Sequence, residues 1–316
     1  MRAQPTVAVV IPTYNHARHL DGALASVFAQ TVKPAEIIVV DDGSDDRPED
    51  VAQRYAGVRL IRQANQGLAA ARNTGWRASG SDYVVFLDAD DRFRPEAIAL
   101  NLAQFAEAPG CGFVYGAYSE VDEATGAERT FDLREPGADA FMAFLRANIV
   151  GMHATVMYPR AVLQTVGGYD ASLRAAEDYD LYLRIARDHP VRCRAEVLAE
   201  YVQHTTNMSR DSALMLRSVL RVLHDQRPRA RTRPEWSAAL REGEREWRLL
   251  YAYRWAAAWR AAQSPAERRR LAAQAGAIVR LAPFEFLREL VGGPLRQVVK
   301  SARRSAKRLL EGRARA

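Results

Sequence analysis

The residues best suited to chemistry are carboxylates in close succession. Asp88-Ala89-Asp90, with Asp91 beside them, follows directly on the apolar run Tyr83-Val84-Val85-Phe86-Leu87. Neighbouring carboxylates repel one another unless a cation sits between them, and hard oxygen ligands suit Mg2+ or Mn2+. A metal so held commonly bridges to substrate phosphates and neutralises charge on a departing pyrophosphate. An Asp-x-Asp alone arises often by chance; directly after a buried strand it is a strong signal. Two more polar clusters, Pro12-Thr13-Tyr14-Asn15 and Asp41-Asp42-Gly43-Ser44, also follow apolar runs. Turn chemistry explains any one of the three. Three at corresponding strand ends point to one shared edge, where open parallel sheets bind ligands. Dinucleotide and P-loop readings lack their glycine motifs, Gly-x-Gly-x-x-Gly and Gly-x-x-x-x-Gly-Lys-[Ser/Thr].

The elements that must position these clusters alternate in type. Residues 6–11 are a β-branched apolar run, the pattern of a strand buried on both faces. Leu20, Leu24, Val27 and Phe28 mark a helical face over 16–30. Strands are predicted at 36–40, 58–61 and 82–87, with helices through Val51 and Tyr55, over 67–79, and from Pro95 to about 107. This βαβ order implies a mainly parallel sheet flanked by helices with right-handed crossovers. Beyond Cys111 the pattern loosens. Strand-like stretches at 112–121, 153–158 and 191–204 alternate with helices at 138–147, 159–166 and 176–188. From 211 onward the chain is Ala/Arg/Leu/Trp-rich with helical spacing, and Trp255 and Trp259 read as helix–helix core.

In order and with appropriate spacing, Val9-Val10-Ile11-Pro12-Thr13-Tyr14-Asn15, Asp41-Asp42-Gly43-Ser44-Asp45-Asp46, Asn65-Gln66-Gly67, Ala70-Ala71-Arg72-Asn73-Thr74-Gly75 and Leu87-Asp88-Ala89-Asp90-Asp91 resemble the successive motifs of family 2 glycosyltransferases. Gly167-Gly168-Tyr169-Asp170 and Glu177-Asp178-Tyr179-Asp180-Leu181-Tyr182-Leu183-Arg184 are similar to that family's acceptor-side motifs. The resemblance covers residues 6–205. It implies a GT-A fold, Rossmann-like, over 1–210, with a nucleotide-sugar-binding half at 1–110 and an acceptor half at 111–210. A helical region would follow at 211–316. The implied activity is inverting transfer of a sugar from a nucleotide diphosphate, with UDP favoured and dTDP and GDP open, to a hydroxyl of a glycan or lipid-linked acceptor. Cell-surface polysaccharide synthesis is the implied setting.

The resemblance also implies roles. Pro12, Thr13, Tyr14, Asn15 and Gly43 would line the nucleotide-sugar pocket, with Asp41 near the base and Asp42 a further contact. Arg72 would place a cation near the nucleotide; its other reading is a surface helix residue in a solvated pair. Asp88 and Ala89 would meet the ribose or a metal-bound water. Asp90 would be the principal ligand of Mn2+ or Mg2+, with Asp88 and His204 as further ligands. Direct displacement at an anomeric carbon needs a base opposite the leaving group, and Asp178 holds the matching position. Glu177 would support Asp178 or touch the acceptor. Asp180 and Arg184, four apart, read as a surface ion pair. His153 has a weaker claim to a role than His204. The rivals are a sugar nucleotidyltransferase, which lacks its basic glycine-rich loop here, and a sugar-nucleotide-binding module without turnover.

Composition bounds the rest. The chain has 316 residues, 48% hydrophobic and 26% charged, the balance of a globular protein. No run of about 18 apolar residues is present. The amino terminus reaches Pro12 too soon for a secretory leader. Two distant cysteines make neither a disulfide framework nor a metal cluster. A cytoplasmic protein is expected. Its net charge of +7 resides in residues 296–316, with eight basic side chains against Glu311, so the other 295 residues are neutral overall. Nucleic acid is therefore not an expected partner. On a helical wheel Arg296, Lys300, Arg303, Arg304, Lys307 and Arg308 share one arc, opposite Leu295, Val298, Val299, Leu309 and Leu310. That pattern predicts an amphipathic helix over 295–316 lying peripherally on an anionic inner membrane face.

Overall fold

The first apolar run forms β1 (Val7–Thr13), all seven of whose residues are buried. The computed structural model describes residues 4–203 and 211–291. After β1 come α1 (Ala17–Phe28), β2 (Glu36–Asp41), α2 (Pro48–Ala52), β3 (Val58–Arg62), α3 (Leu68–Ala78) and β4 (Tyr83–Phe86). Then follow β5 (Arg92–Phe93), α4 (Ala97–Glu107), β6 (Phe113–Asp122), β7 (Glu128–Thr130), α5 (Ala140–Arg146), β8 (Met157–Pro159), α6 (Arg160–Val166), α7 (Glu177–Ala186) and β9 (Val191–Gln203). The helices α8 (Ser212–Asp225), α9 (Arg227–Ala230), α10 (Pro234–Ala261), α11 (Pro265–Leu281) and α12 (Pro283–Val291) complete the described chain.

The strands form one sheet in the order β3-β2-β1-β4-β8-β6-β9-β5, with β7 on β6. From β1 to β4 every pairing is parallel, as the βαβ spacing requires. Beyond β4 the sheet is mixed. β8 runs antiparallel to both β4 and β6, and β5 antiparallel to β9, while β6 and β9 are parallel. The extended reading of 153–158 needs correction: His153–Thr155 is a 3-10 turn, and the strand starts at Met157. The two-residue strand β5 was not legible, because two residues carry no period.

Helices cover both faces of β1. On one side α1 buries Leu20, Ala23, Leu24 and Val27 in the core that contains Val7, Val9 and Ile11. On the other, α3 packs through Gly75, where an added Cβ would lie 2.2 Å from a Val10 methyl. A side chain at 75 would push the helix off the strand.

The chain divides into two compact units. The first comprises residues 1–210 and 218–244, the second residues 211–217 and 245–316. Within the second, Trp255 is buried and stacks on Trp259 at 5.6 Å and on Phe286 at 5.0 Å. Trp259, expected in a helix–helix core, is 38% exposed, since Trp255 takes the inner position. No helix among the described residues is long and apolar enough to cross a membrane.

Candidate active site

β1 and β2 end in register, Thr13 opposite Asp41. Past β1 the chain turns through Asn15 at φ 56°, a left-handed conformation that Asn tolerates. The Asn15 N–H donates to Ser44 Oγ (3.0 Å), and its Oδ1 accepts from the Asp45 N–H (2.8 Å). Gly43 has φ +84°, and a Cβ there would lie 3.0 Å from the Asn65 nitrogen, so the turn after β2 needs glycine. Pro12 is buried within β1, and Tyr14, just past the strand, is 47% exposed. The two strand-end clusters thus tie each other in place.

Their carboxylates differ in what they are free to do. Asp41 Oδ1 accepts from the Ser44 N–H (2.8 Å), whereas Asp41 Oδ2 and Thr13 Oγ1 are buried without a hydrogen-bond partner. Arg62 Nε lies 3.4 Å from Asp41 Oδ2. An unmade buried hydrogen bond costs about 1–3 kcal/mol; Arg62 offsets part of that cost at Asp41 Oδ2, whereas Thr13 Oγ1 has no such neighbour among the described residues. Asp42 is committed internally. Its Oδ1 accepts from Gln63 Nε2 (2.7 Å) and the Gln66 N–H (2.9 Å), and its Oδ2 from the Gly67 N–H (2.7 Å) at the entrance to α3.

The third cluster meets Arg72, which α3 carries inward. Arg72 is 2% exposed, which overturns its reading as a surface helix residue. Its Nη2 lies 2.7 Å from Asp88 Oδ1 and its Nη1 2.6 Å from Glu177 Oε1, so two carboxylates satisfy a charge that α3 faces into the protein. The guanidinium also sits 5.7 Å from the Tyr169 ring centroid. Burial disfavours its charge, but the carboxylates of Asp88 and Glu177 more than offset this and hold Arg72 firmly protonated.

Asp178 opens α7 beside this pair. Ala176, just before the helix, has φ 60°, a strained left-handed backbone for alanine. Asp178 is half-buried, and its Oδ1 accepts from the Tyr179 N–H (2.7 Å). Burial, and then the neighbouring Glu177 charge, push its carboxyl up to about 7. A carboxylate poised near neutral pH is suited to taking a proton. Glu177 binds Arg72, which gives it a supporting position.

Asp91 drew no role from the sequence. It is buried, and its Oδ1 accepts from the Val202 N–H (3.0 Å), tying the third cluster to β9. Burial, then the charges of Asp90 and Asp88, raise its carboxyl well above the ordinary range. Burial and these neighbours thus favour the protonated form of Asp91, while Asp88 is paired with Arg72. Ala89 is a core residue by its side chain. Among the described residues no group of three or more His, Cys, Asp or Glu could hold a metal. Asp88, one oxygen of which Arg72 holds, and Asp90 are the carboxylates that remain of the expected metal set, and their hard oxygens are of the type that Mg2+ or Mn2+ takes. His204 lies outside the described residues.

A buried scaffold holds the two halves of the site. Asn73 on α3 donates to the Tyr169 carbonyl (2.8 Å), and its Oδ1 accepts from the Tyr169 N–H (2.9 Å) and Trp76 Nε1 (2.9 Å). Gly168 has φ +76°, and a Cβ there would fall 2.4 Å from Asn73 Oδ1. The Asp180–Arg184 pair, expected on the surface, is largely buried instead. Arg184 Nε contacts Asp180 Oδ2 (2.8 Å) while Nη1 and Nη2 reach the carbonyls of Val166 (2.8 Å) and Gly168 (2.7 Å). Arginine's fork lets one side chain fasten α7 to that loop. His153 is buried between two tyrosines, Nδ1 2.7 Å from Tyr182 Oη and Nε2 2.8 Å from Tyr169 Oη. Burial, then the Arg72 charge, depress its pKa, so it is a neutral strut. A cavity of about 950 Å3 lies elsewhere, lined by Ala186, His189 and Cys193 at the opposite end of α7 from Asp178.

A family model described as glycosyl transferase family 2 matches residues 8–167. Among curated proteins, the chain is 32% identical over 175 residues to one from Haemophilus influenzae named an uncharacterized glycosyltransferase, covering 55% of this chain and 59% of that one. It is 40% identical over 118 residues to the uncharacterized glycosyltransferase EpsJ of Bacillus subtilis, covering 34% of each. The matches thus span only part of these relatives' lengths. Among solved structures, S. aureus TarS residues 1–349 superpose with a TM-score of 0.62 at 16% identity, covering 88% of this chain and 81% of that one. The same TarS segment in complex with UDP-GlcNAc gives a TM-score of 0.59 at 16% identity, covering 88% and 82%.

Proposed function

Since the chain belongs to glycosyl transferase family 2, a family of inverting enzymes, we propose that it moves a sugar from a UDP-type donor to a hydroxyl of a glycan or lipid-linked acceptor. The observation that carries this reading is the Arg72 bridge, which brings Asp88 at the β4 exit and Glu177 beside Asp178 to one guanidinium across 16 and 105 residues of sequence. Donor and acceptor chemistry would share one edge. The donor would lie across the ends of β1, β2 and β4, with Thr13 and Asp41, the latter beside Arg62, nearest the base. S. aureus TarS, whose fold this chain shares, is solved in complex with UDP and with UDP-GlcNAc, which supports a uridine nucleotide over other bases.

Asp178 would accept the proton of the acceptor hydroxyl as its oxygen attacks the anomeric carbon on the face opposite the nucleotide. The new carbon–oxygen bond forms as the bond to the diphosphate breaks, and the diphosphate leaves with that electron pair. Asp90 and Asp88 would hold Mg2+ or Mn2+, which when bound supplies charge neutralisation on the diphosphate. Arg72 orients Asp88 on one side and Glu177 on the other. The donor half would lie in residues 1–110, the acceptor half in 111–210, and a helical region in 211–316. We place the enzyme in the cytoplasm, peripheral on the inner membrane face through residues 295–316, making cell-surface polysaccharide. That segment lies outside the described residues.

The test is a thermal-shift panel of nucleotide diphosphates and nucleotide sugars with and without Mn2+, followed by UDP release with acceptor. A ligand that binds only the folded state raises the melting temperature. No shift with any uridine nucleotide would end the donor assignment.

A further inference from the structure

Large hydrophobic side chains are exposed at seven positions among the described residues, and five of these, Leu250, Trp259, Val279, Phe284 and Leu287, belong to the second unit. Phe284 is 83% exposed and Leu287 59%, although α12 is well anchored on its other side. Phe286 faces inward onto Trp255 at 5.0 Å, and Glu289 Oε2 lies 3.7 Å from Arg260. Arg260 Nη2 also donates to the Glu289 carbonyl (2.7 Å). The helix therefore has a settled inner face, and the apolar residues that face solvent do so by design of the 3.6-residue period, Phe284 and Leu287 being three apart.

Arg280 and Arg288, both exposed, flank this ridge. The chain leaving α12 carries eight basic residues and one acidic residue over 296–316. Exposed aromatic and aliphatic groups rimmed by cations fit an anionic lipid surface, where the rings enter the headgroup boundary and the cations stay among phosphates. The acidic residues of α12, Glu285 and Glu289, are half-buried, and Glu289 is taken up by Arg260, so the exposed charge beside the ridge is basic, which a protein partner of mixed charge would not account for.

From this we infer that α12 is the apolar anchor of a membrane-docking surface, with Phe284 and Leu287 inserting among anionic lipids. The inference deepens the proposed peripheral location and rests on it. The basic segment beyond α12 attracts the protein electrostatically; α12 supplies the hydrophobic contact. A single signal of either kind gives weak, reversible attachment, and two together give stable attachment.

The experiment is sedimentation of the full chain with vesicles of phosphatidylcholine alone or mixed equally with phosphatidylglycerol. Wild type is expected to sediment only with the mixed vesicles. The double variant Phe284→Ser/Leu287→Ser is expected to lose about tenfold or more in partitioning. If wild type stays in solution, or the folded variant sediments equally well, the inference is overturned. It is overturned too if wild type is a dimer that the substitutions dissociate without changing lipid binding, since the ridge would then seat a second copy. Should the double variant fail to fold, Phe284→Trp replaces it. Its added emission must be quenched by acyl-chain-brominated phosphatidylglycerol, and absence of quenching overturns the inference. UDP release from donor, followed in parallel, is expected to be equal in wild type and variant. If neither releases UDP, the transferase reading fails while the partitioning result stands.

Discussion

Arg72 Nη2 approaches Asp88 Oδ1 at 2.7 Å while the other end of the same guanidinium approaches Glu177 Oε1 at 2.6 Å. A side chain that is 2% exposed therefore joins the strand exit of the parallel half to the first turn of the helix that carries Asp178. Removing it leaves the buried Glu177 and the partly exposed Asp88 without their shared counterion.

Arg72→Met should accordingly destabilise the first unit by about 3–5 kcal/mol, the usual consequence of leaving one partner of a buried pair alone. Arg72→Lys should recover only part of this, because an ammonium cannot address two carboxylates with a planar fork. Urea denaturation of both variants measures the difference. Equal stability of wild type and Arg72→Met would refute the bridge.

Asp178→Asn removes the proposed base while keeping its shape. Turnover should fall about 10²–10⁴-fold, with donor affinity by calorimetry unchanged. A parallel loss of donor binding would instead place Asp178 in the donor pocket.

The pH dependence follows from a carboxyl pushed up to about 7. The base must be ionised, so kcat/KM should rise with pH and level off above about 7. Stability moves the other way. A raised folded-state pKa means that the protonated form is favoured by folding, so this contribution is present at low pH and lost as pH rises through about 7. In Asp178→Asn that fall in melting temperature should shrink, leaving the part that the buried Asp91 carries. Retention of the full pH response in the variant would assign it to another group.

Gly167 and Gly168 offer a matched comparison. Both have positive φ, but a Cβ at 167 meets nothing within 4 Å, whereas one at 168 would lie 2.4 Å from Asn73 Oδ1 and 2.8 Å from Trp76 Nε1. Gly167→Ala should cost about 1–2 kcal/mol from backbone strain alone. Gly168→Ala should cost more than that, and should also lower turnover by displacing Tyr169 from beneath Arg72. Thermal unfolding of the pair with a turnover assay checks both. Identical behaviour would refute the proposed packing.

Much of the first half was legible because parallel strands buried on both faces advertise themselves as apolar runs. β1, β2 and β4 were visible in this way, and each ended in the polar cluster that the structure places on one edge. Strand pairing beyond β4 was not legible. Antiparallel β8 is three residues long and β5 two, too short for periodicity to register. Helical spacing placed Arg72 and Arg184 on helices but could not tell a solvent-facing arginine from one drawn inward, because the carboxylate and carbonyl partners lie far away in sequence. Glu177 is 105 residues from Arg72, and Gly168 is 16 from Arg184. Asp91 was passed over for a similar reason: its partner, the Val202 N–H, is 111 residues distant. Asp42 shows the converse. Its position at a strand end suggested a ligand contact, while its oxygens are occupied by the loop that starts α3.

The long parallel pairing of β6 with β9 bears on how the protein is made. Phe113 to Asp122 align with Val191 to Gln203 across an irregularity at Gly116–Tyr118. Closing so large a loop is entropically slow, whereas the strands before it need only short crossovers. During synthesis, the early strands can therefore assemble while β6 still presents an open row of amides and carbonyls to any passing chain. A ribosome stalled before codon 191 would release a species prone to self-association, and the interval until β9 emerges is when a chaperone would matter most.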